Sequence, residues 1–572
     1  MIIDIQDYLD ANSSTDIVPA IQRALAACRK AEKPTLRLHP GVYHFRPERA
    51  PEKFYYISNN DCGVRRIAFP LIGVNGLTID GGGAEFMFHG RITPFVVDHS
   101  SDIALRNFSV DYDRPFYSQG EVVACTEQSL DLRIDQNEFP YRVDGGSLFF
   151  KSADWTSLHD SCWLVTEFDP RTRAPTRSMY YYPIKNKGVS FAHIDKTFDD
   201  WAQPFSATEL EPGLVRLHYK TPWLHTIGNL VTLSHEKRNN PGVFIHESRN
   251  VAIEDVRLYH VGAMGVIGQL SADISLKRVV MAPRPGSTRI IGVQADATHF
   301  VNCEGTIRLE GCQFDNMLDD ATNIHGIYSS VSRVVGKDTL EAELKHFQQH
   351  GICSYRPGDR VAFTEPQSMQ TLAEGVVAEV RVLNARFFEL RFKEALPAGV
   401  CPGFAIANVT RLPAVVIRGC RTGNNRPRGF LLGSNRPMLI EGNTFYNSSH
   451  AIHVSGDANY WFESGPVRDL TIRGNTFQNC GYADGAAPIN IGPEVPKAVE
   501  GGPGYHSGIV IEENTFISPN SNLLTAGHVD GLVFRNNRVQ VSDAFAPTAA
   551  GRPPVELWHC RDVQQDAARV GV

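Results

Sequence analysis

A short motif of alternating apolar residues followed by asparagine recurs along this chain, and it limits the available folds more than any other feature. Three copies lie at residues 439–445, 470–477 and 510–516. Period-two alternation predicts strands with one buried face, and a repeat spaced by roughly 20–50 residues predicts a solenoid of stacked units. The sequence therefore predicts an all-β chain built on a right-handed parallel β-helix. Weaker copies begin at Leu77, Ile103, Val251, Ile274, Ile307 and Val533.

The asparagines that follow these strands should stack at one corner of the β-helix. They are Asn443, Asn475, Asn514 and Asn537. Asparagine tolerates the left-handed backbone conformation of a tight turn and bonds its own backbone there. We therefore predict that these residues sit in such turns and form a ladder between successive turns of the helix.

The end of a solenoid exposes an apolar core and needs a cap. Residues 15–30 are predicted to form a cap helix, with Asp16 as N-cap and Pro19 in the first turn, where its missing N–H costs nothing. An apolar face at helical spacing supports this prediction. It contains Ile17, Ala20, Ile21, Ala24 and Leu25.

Two long stretches lack the repeat and read as short strands. Residues 112–245 and 327–412 are therefore predicted to be two inserted small β-barrel or sandwich modules. The second insertion leaves the β-helix directly after an acidic segment, so it is expected to form a wall beside that segment. The predicted divisions of the chain are 1–111, 112–245, 246–326, 327–412 and 413–572.

Composition narrows the class of protein. The 572 residues carry a net charge of −7 with 42% hydrophobic and 21% charged residues, which is typical of a folded soluble protein. No basic cluster suggests a nucleic-acid partner, and no long apolar run suggests a membrane partner or a signal peptide. The eleven cysteines are scattered without Cys-x-x-Cys spacing, which predicts buried thiols. We expect no cofactor. The sequence leaves open whether the chain forms a homo-oligomer. It also leaves open whether the protein is cytoplasmic or is secreted with a signal absent from this chain.

A repeated acidic frame is the strongest functional signal. Asp296-Ala297-Thr298 returns 24 positions later as Asp320-Ala321-Thr322, with Asp319 directly before the second copy. If the copies lie on neighbouring turns, Asp296 stacks beside Asp320 at roughly 4.8 Å. Clustered acids repel one another and raise at least one pKa.

Three roles compete for these acids: solvated turn residues, a calcium site, or a glycosidase site without a bound metal. The repeated frame favours catalysis over calcium, and calcium over simple turns. An inverting glycosidase needs a protonated acid and a carboxylate base for water. In this reading Asp296 and Asp320 hold the water, while Asp319 is the acid, its pKa raised by two anionic neighbours.

Other polar residues fall where later turns would extend the same face. Arginine and histidine donate hydrogen bonds to sugar hydroxyls, and tryptophan stacks on a sugar face. The predicted substrate-binding residues are His325, Asn425, Arg426, Arg428, His453, Asp457, Trp461 and Glu463.

These segments resemble glycoside hydrolase family 110. The resemblance is carried by Asp296, by residues 318–326, 425–429 and 456–461, and extends from the cap helix to about residue 540. It implies a β-helix with β-barrel modules, inverting action on terminal α-1,3-linked galactose as in blood group B, and Asp296, Asp319 and Asp320 as catalytic residues.

Two alternatives stay open. Polygalacturonase-like enzymes of acidic polysaccharides use a similar Asp followed one turn later by Asp-Asp. A carbohydrate-binding β-helix without catalysis would not need three adjacent acids. In every case the expected partner is an oligosaccharide or glycoconjugate.

Overall fold

The computed structural model describes residues 1–153, 155–157, 161–176, 182–186, 202–236, 238–483, 485–497, 501–566 and 569–570. Its body is a parallel β-helix of three sheets, in which each turn pairs in register with the next. The first sheet contains Ile2–Asp4, Thr35–Arg37, Ala272–Lys277, Glu304–Glu310, Ala414–Arg418, Met438–Glu441, Leu470–Arg473, His506–Glu512, Val529–Arg535 and Arg561–Gln565. The second contains Val42–Phe45, Val280–Met281, Gln313–Asp315, Arg421–Gly423, Thr444–Tyr446, Thr476–Gln478, Thr515–Ser518, Arg538–Val541 and Arg569–Val570.

Three long strands run through both of these sheets, and a third sheet closes the coil. The long strands are Asn75–Phe88, Ser101–Tyr112 and Arg249–Leu258. The third sheet contains Gly63–Ile72, Thr93–Asp98, Val243–His246, Val266–Gln269, Thr298–Val301, Thr322–Val334, Phe430–Leu432, Ile452–Val454, Ile489–Ile491, Leu524–Gly527 and Val555–Trp558. Two short strands, Glu52–Tyr55 and Glu463–Ser464, pair with it in antiparallel fashion.

The period-two pattern determines what each strand buries. In the strand Leu470–Arg473 the apolar Leu470 and Ile472 are fully buried, while Arg473 faces solvent. Aromatic rings stack inside the coil, with Phe477 at 5.0 Å from Phe445 and 4.7 Å from Phe516 between ring centroids. Alternation therefore gives one apolar interior shared by all turns, as predicted.

The predicted asparagine ladder is confirmed. The side-chain amide of Asn443 donates to Asn475 Oδ1, Asn475 donates to Asn514 and Asn514 donates to Asn537, each at 3.0 Å. The left-handed backbone conformation, however, was predicted one residue too late in each turn. The left-handed residue precedes each asparagine and is Gly442, Gly474, Glu513 or Asn536. The preceding residue makes the turn, which leaves the buried asparagine free to bond the next turn.

The predicted cap helix is confirmed and spans Val18–Cys28. The side chain of Asp16 accepts a hydrogen bond from the Val18 amide at 3.1 Å, although Ile17 occupies the N-cap position itself. The predicted apolar face is buried against the first strands of the coil. Three short 3₁₀ helices lie at Ile5–Tyr8, Pro47–Arg49 and Phe347–Gln349, and among the described residues no helix is long and apolar enough to cross a membrane.

The first insertion is a closed β-barrel with its own apolar core. A hairpin of Tyr141–Asp144 and Ser147–Phe150 accompanies it. The barrel strands are Ser118–Thr126, Ser129–Arg133, Ser161–Phe168, Tyr182–Asn186, Gln203–Glu211, Leu214–His218 and Leu230–Ser234.

The second insertion is also a closed barrel, and it shares one strand with the β-helix. Thr322–Val334 pairs with the third sheet through its first residues and with the barrel through its last residues. The other barrel strands are Thr339–Glu343, Arg360–Glu365, Gln370–Val382, Phe387–Phe392 and Ala405–Asn408. Two inserted β modules are therefore present as predicted, while the exact domain limits stay predictions.

Candidate active site

The two acidic frames lie on neighbouring turns of the third sheet. Thr298 pairs with Thr322 in the strand register, so Asp296 and Asp320 each stand two residues before their strand. The Asp320 amide donates to Asp296 Oδ1 at 3.3 Å. The predicted stacking of Asp296 beside Asp320 is therefore confirmed.

The position two residues before the strand remains polar on the next turns. Arg428 and His450 occupy it before Phe430–Leu432 and Ile452–Val454. Arg428 Nε donates to Asp320 Oδ1 at 2.8 Å. One row of the fold thus places two acids, an arginine and a histidine side by side.

Arginines hold Asp319 in its charged form. Arg238 donates to Asp319 Oδ2, and Arg426 donates to Asp319 Oδ1 at 3.4 Å. Burial opposes ionisation of Asp319, but the charges of Arg238, Arg426 and Arg428 outweigh it and lower its pKa. The predicted raised pKa of Asp319 is therefore wrong for this structure, because these arginines arrive from segments distant in sequence.

The other two acids favour their protonated forms. Burial is the main cause that raises the pKa of Asp296 and of Asp320, and the anionic Asp319 adds to both shifts. One oxygen from each of the three acids lies within 4.8 Å of the others. The site thus combines one ionised carboxylate with two that retain protons near neutral pH, a split typical of acid–base catalysis.

Two histidines extend from Asp296 along the sheet. His299 Nδ1 lies 2.7 Å from Asp296 Oδ2, and His299 Nε2 lies 2.9 Å from His325 Nε2. His325 Nδ1 donates to the Gly326 carbonyl at 2.7 Å. Burial lowers the pKa of both rings, to about 4 for His299, so both are neutral at neutral pH.

The acids open into a cavity of about 560 Å³, a volume suited to a small ligand. All three acids line it, and so do most of the predicted substrate-binding residues. Those are His325, Arg426, Arg428, His453, Asp457, Trp461 and Glu463.

Asn425 is the exception among the predicted substrate-binding residues. It is fully buried and absent from the cavity lining. Its Oδ1 accepts from the Met317 amide at 3.0 Å, and its Nδ2 donates to Thr422 Oγ1 at 2.8 Å. Its predicted contact with substrate does not fit this position, because its amide holds the loop that carries Asp319.

The loop at the cavity mouth is shaped by Asp457. Its carboxylate accepts from the backbone amides of Asn459, Tyr460 and Trp461. The Trp461 side chain is 48% exposed, and its ring lies 5.5 Å from the His346 ring. Asp457 therefore positions an exposed aromatic surface at the entrance.

Glu463 lies deeper in the cavity. Its Oε1 accepts from the side-chain Nδ2 of Asn59 at 3.0 Å and lies 3.6 Å from His325 Nε2. Burial opposes ionisation of Glu463, yet its pKa is lowered, and the charge of Arg428 and the hydrogen bond from Asn323 contribute to this shift.

Both barrels contribute cavity residues that the sequence did not predict. Glu236 and Arg238 follow the last strand of the first barrel, while His346, Phe347 and Gln348 belong to the second. The second barrel is thus a wall of the cavity, as expected, and the first barrel is another. Among the missed cavity residues, only His299 had a signal in the sequence, because it directly follows the first copy of the Asp-Ala-Thr segment.

Two buried amides face the cavity with unused acceptors. Gln294 Oε1 and Asn323 Oδ1 receive no hydrogen bond from any residue that the structure describes. Buried polar atoms are normally paired. Their position indicates a ligand with hydroxyl donors.

Comparisons with known proteins agree with this architecture. Models of "GLAA-B beta-barrel domain I" and "domain II" match residues 118–231 and 339–406, and a "right handed beta helix region" matches residues 402–544. These matches confirm the predicted handedness and the two barrels. Among solved structures, a family 28 exopolygalacturonase of Yersinia enterocolitica is similar at 10% identity with a TM-score of 0.38, covering 99% of this chain and 79% of that one.

Two curated relatives are similar over nearly the whole chain. Alpha-1,3-galactosidase A of Shewanella woodyi is 34% identical, with 97% of this chain and 88% of the relative covered. Alpha-1,3-galactosidase B of Bacteroides thetaiotaomicron is 34% identical, with 98% of this chain and 90% of the relative covered.

Proposed function

Since the chain belongs to the α-1,3-galactosidase family, we propose that it is an exo-acting glycoside hydrolase that releases terminal α-1,3-linked galactose. The observation that carries the proposal is the cluster of Asp296, Asp319 and Asp320, stacked on adjacent turns and open to one cavity. We assign the acid–base chemistry to this cluster.

The charge states suggest separate roles for the acids. A general acid must begin protonated, and Asp320 meets this requirement because its pKa is raised. Its Oδ2 forms no hydrogen bond with a described residue, so it is free to reach a glycosidic oxygen. Asp319 is ionised, and each of its oxygens keeps a second lone pair that can accept a proton from water.

Inversion is the part of the proposal that comes from the family resemblance. The nearest oxygens of the three acids lie within 4.8 Å. The configuration of the first product is therefore a separate test from the identity of the substrate.

The charges of the cavity favour a neutral sugar over a uronide. Arg238 and Arg426 contact Asp319, and Arg428 contacts Asp320. A polygalacturonate carboxylate would compete with these acids for the same arginines. Polygalacturonate is therefore the second candidate substrate.

The walls of the cavity support an exo mode of action. Both barrels enclose it, and the aromatic Trp461 stands half exposed at the mouth. We propose that Gln294 and Asn323 accept from galactose hydroxyls, while His453 and Arg428 complete the pocket. Trp461 would then stack on the terminal sugar or on the sugar that follows it.

A panel of pure substrates tests the function. It contains linear α-1,3-galactobiose, the fucosylated blood-group-B trisaccharide, α-1,4- and α-1,6-galactobioses and polygalacturonate, each incubated with the enzyme and with Asp320→Asn. We expect free galactose from α-1,3-linked substrates alone, and comparison of the linear and branched compounds defines the preference. Cleavage of polygalacturonate alone would establish the alternative, and binding without cleavage would indicate a carbohydrate-binding protein.

A further inference from the structure

A chain of hydrogen bonds with a fixed direction leads from a backbone carbonyl to one of the site acids. Its first contact joins His325 Nδ1 to the Gly326 carbonyl oxygen at 2.7 Å. A carbonyl can only accept, so His325 must carry its proton on Nδ1. Because the neutral ring holds a single N–H, His325 Nε2 is left as an acceptor.

The same reasoning determines which nitrogen of the next ring, His299, carries the proton. His299 Nε2 lies 2.9 Å from His325 Nε2, so His299 has to donate from that nitrogen. Its other nitrogen, Nδ1, is then an acceptor, and it faces Asp296 Oδ2 at 2.7 Å. A hydrogen bond at this distance requires Asp296 Oδ2 to donate, and only a protonated carboxyl can do so.

We propose that His299 and His325 are positioning residues that keep Asp296 protonated, with its proton directed along the sheet toward His299 Nδ1. The inference rests on the proposed function, because it deepens the roles of the same acids. It leaves Asp319 and Asp320 as the pair that works on substrate, with Asp296 as a neutral neighbour. Asp296 Oδ1 meanwhile accepts from the Asp320 amide and so holds the loop of that acid.

The surrounding charges are consistent with this arrangement. The groups that face Asp296 and His299 are Asp319, Asp320, Glu463, Arg238 and Arg428. Burial and the charge of Asp319 raise the pKa of Asp296, and burial lowers the pKa of His299. A neutral acid beside a neutral imidazole also avoids placing another negative charge next to the ionised Asp319.

Neutron diffraction of deuterated wild-type crystals at neutral pH locates the protons directly and needs no activity. We expect deuterons on Asp296 Oδ2, His299 Nε2 and His325 Nδ1, with none on His299 Nδ1 or His325 Nε2. A deuteron on both nitrogens of His299 beside an ionised Asp296, or the reverse direction of the chain, would overturn the proposal. A protein without galactosidase activity would contradict the proposed function and leave this test unaffected.

A pH–rate profile provides the second readout. In His299→Asn the new amide can donate to Asp296, and in His325→Gln the new amide can donate to His299, so both variants release the fixed direction of the chain. Asp296 then ionises more easily, and its charge raises the pKa of Asp320. The basic limb of kcat/KM should move upward by about one pH unit.

The matched control is His246→Asn. His246 occupies the row of the third sheet that also contains Gln269, Val301 and His325, but it lies three strands away from His325. Its profile should equal that of the wild type. Unchanged limbs in both test variants, or an equal shift in the control, would contradict the proposal.

Discussion

One set of carboxylates meets arginines on the outer face of the β-helix and another meets them in the cavity, and Glu441 and Asp320 show opposite protonation states. On the outer face, Glu441 lies between Arg418 and Arg473 with 24% of its side chain exposed, and the hydrogen bond from Arg473 is the main cause that lowers its pKa. In the cavity, Asp320 meets Arg428 at 2.8 Å with 2% of its side chain exposed, and burial raises its pKa. Access to water separates Glu441 from Asp320, since both have arginine partners.

This difference distinguishes functional carboxylates from structural ones. Exposed ion pairs contribute little to stability and require little desolvation. Burial of several charges together is unfavourable unless partners compensate for it. Acids in a cleft whose pKa values are strongly shifted therefore indicate a functional site. The exposed ion pairs of the outer face are only part of the repeat.

The largest difference between the two sets should appear in turnover. Asp319→Asn or Asp320→Asn removes a group that moves a proton, so kcat/KM on an α-1,3-galactoside should fall by about 10²–10⁴-fold. Glu441→Gln is the matched control and should retain wild-type turnover. Circular dichroism and thermal melting check that each variant folds. Near-normal turnover in both cavity variants would remove these acids from the mechanism.

A smaller difference should appear in stability, with the opposite sign. Between the ordinary value of 3.8 and about 8, Asp320 remains protonated in the folded state while the unfolded chain ionises. Stability of the wild type therefore falls as the pH rises through this window. Asp320→Asn removes that loss, and since one pKa unit is worth about 1.4 kcal/mol, its free energy of unfolding at neutral pH should rise by more than ~1 kcal/mol.

Denaturant titrations along a pH series measure this effect. The gain in Asp320→Asn should shrink as the pH falls toward the unfolded value of 3.8, below which both states of the wild type hold the proton. A variant that is less stable than the wild type at every pH would show that the acid is not destabilising where it lies.

The smallest effect is expected on the outer face. Glu441→Gln should lower the free energy of unfolding by less than about 1 kcal/mol at neutral pH. Because the folded pKa of Glu441 is lowered from 4.5, its contribution is present above that value and is lost as the pH falls through the folded pKa. The same titrations read it out, and a loss comparable to that of a buried pair would erase the distinction between the two faces.

The repeat made the fold and the pairing of the acids predictable. Alternation identified the strands, and the 24-residue offset between Asp296 and Asp320 equals one turn of the coil. The asparagine ladder was predictable for the same reason, since equivalent positions in a solenoid must stack.

The electrostatics of the site could not be predicted in the same way. Arg238 follows the first barrel and reaches Asp319 from 81 residues away along the chain. No residue spacing in the sequence predicts such a contact. The contact reverses the expected direction of the Asp319 pKa shift. The predicted contact of Asn425 with substrate failed for a different reason. Its neighbours Arg426 and Arg428 face the cavity, but Asn425 itself is buried away from it.

In the proposed reaction, the buried acids hydrolyse a terminal α-1,3-galactoside with water as the nucleophile. Proton NMR of α-1,3-galactobiose during the first turnovers tests it most directly, because the anomeric signals of galactose appear before the anomers equilibrate. We predict β-galactose as the first product, with release by Asp320→Asn slower by about 10²–10⁴-fold. First formation of α-galactose would mean retention through a covalent intermediate and would contradict direct attack by water.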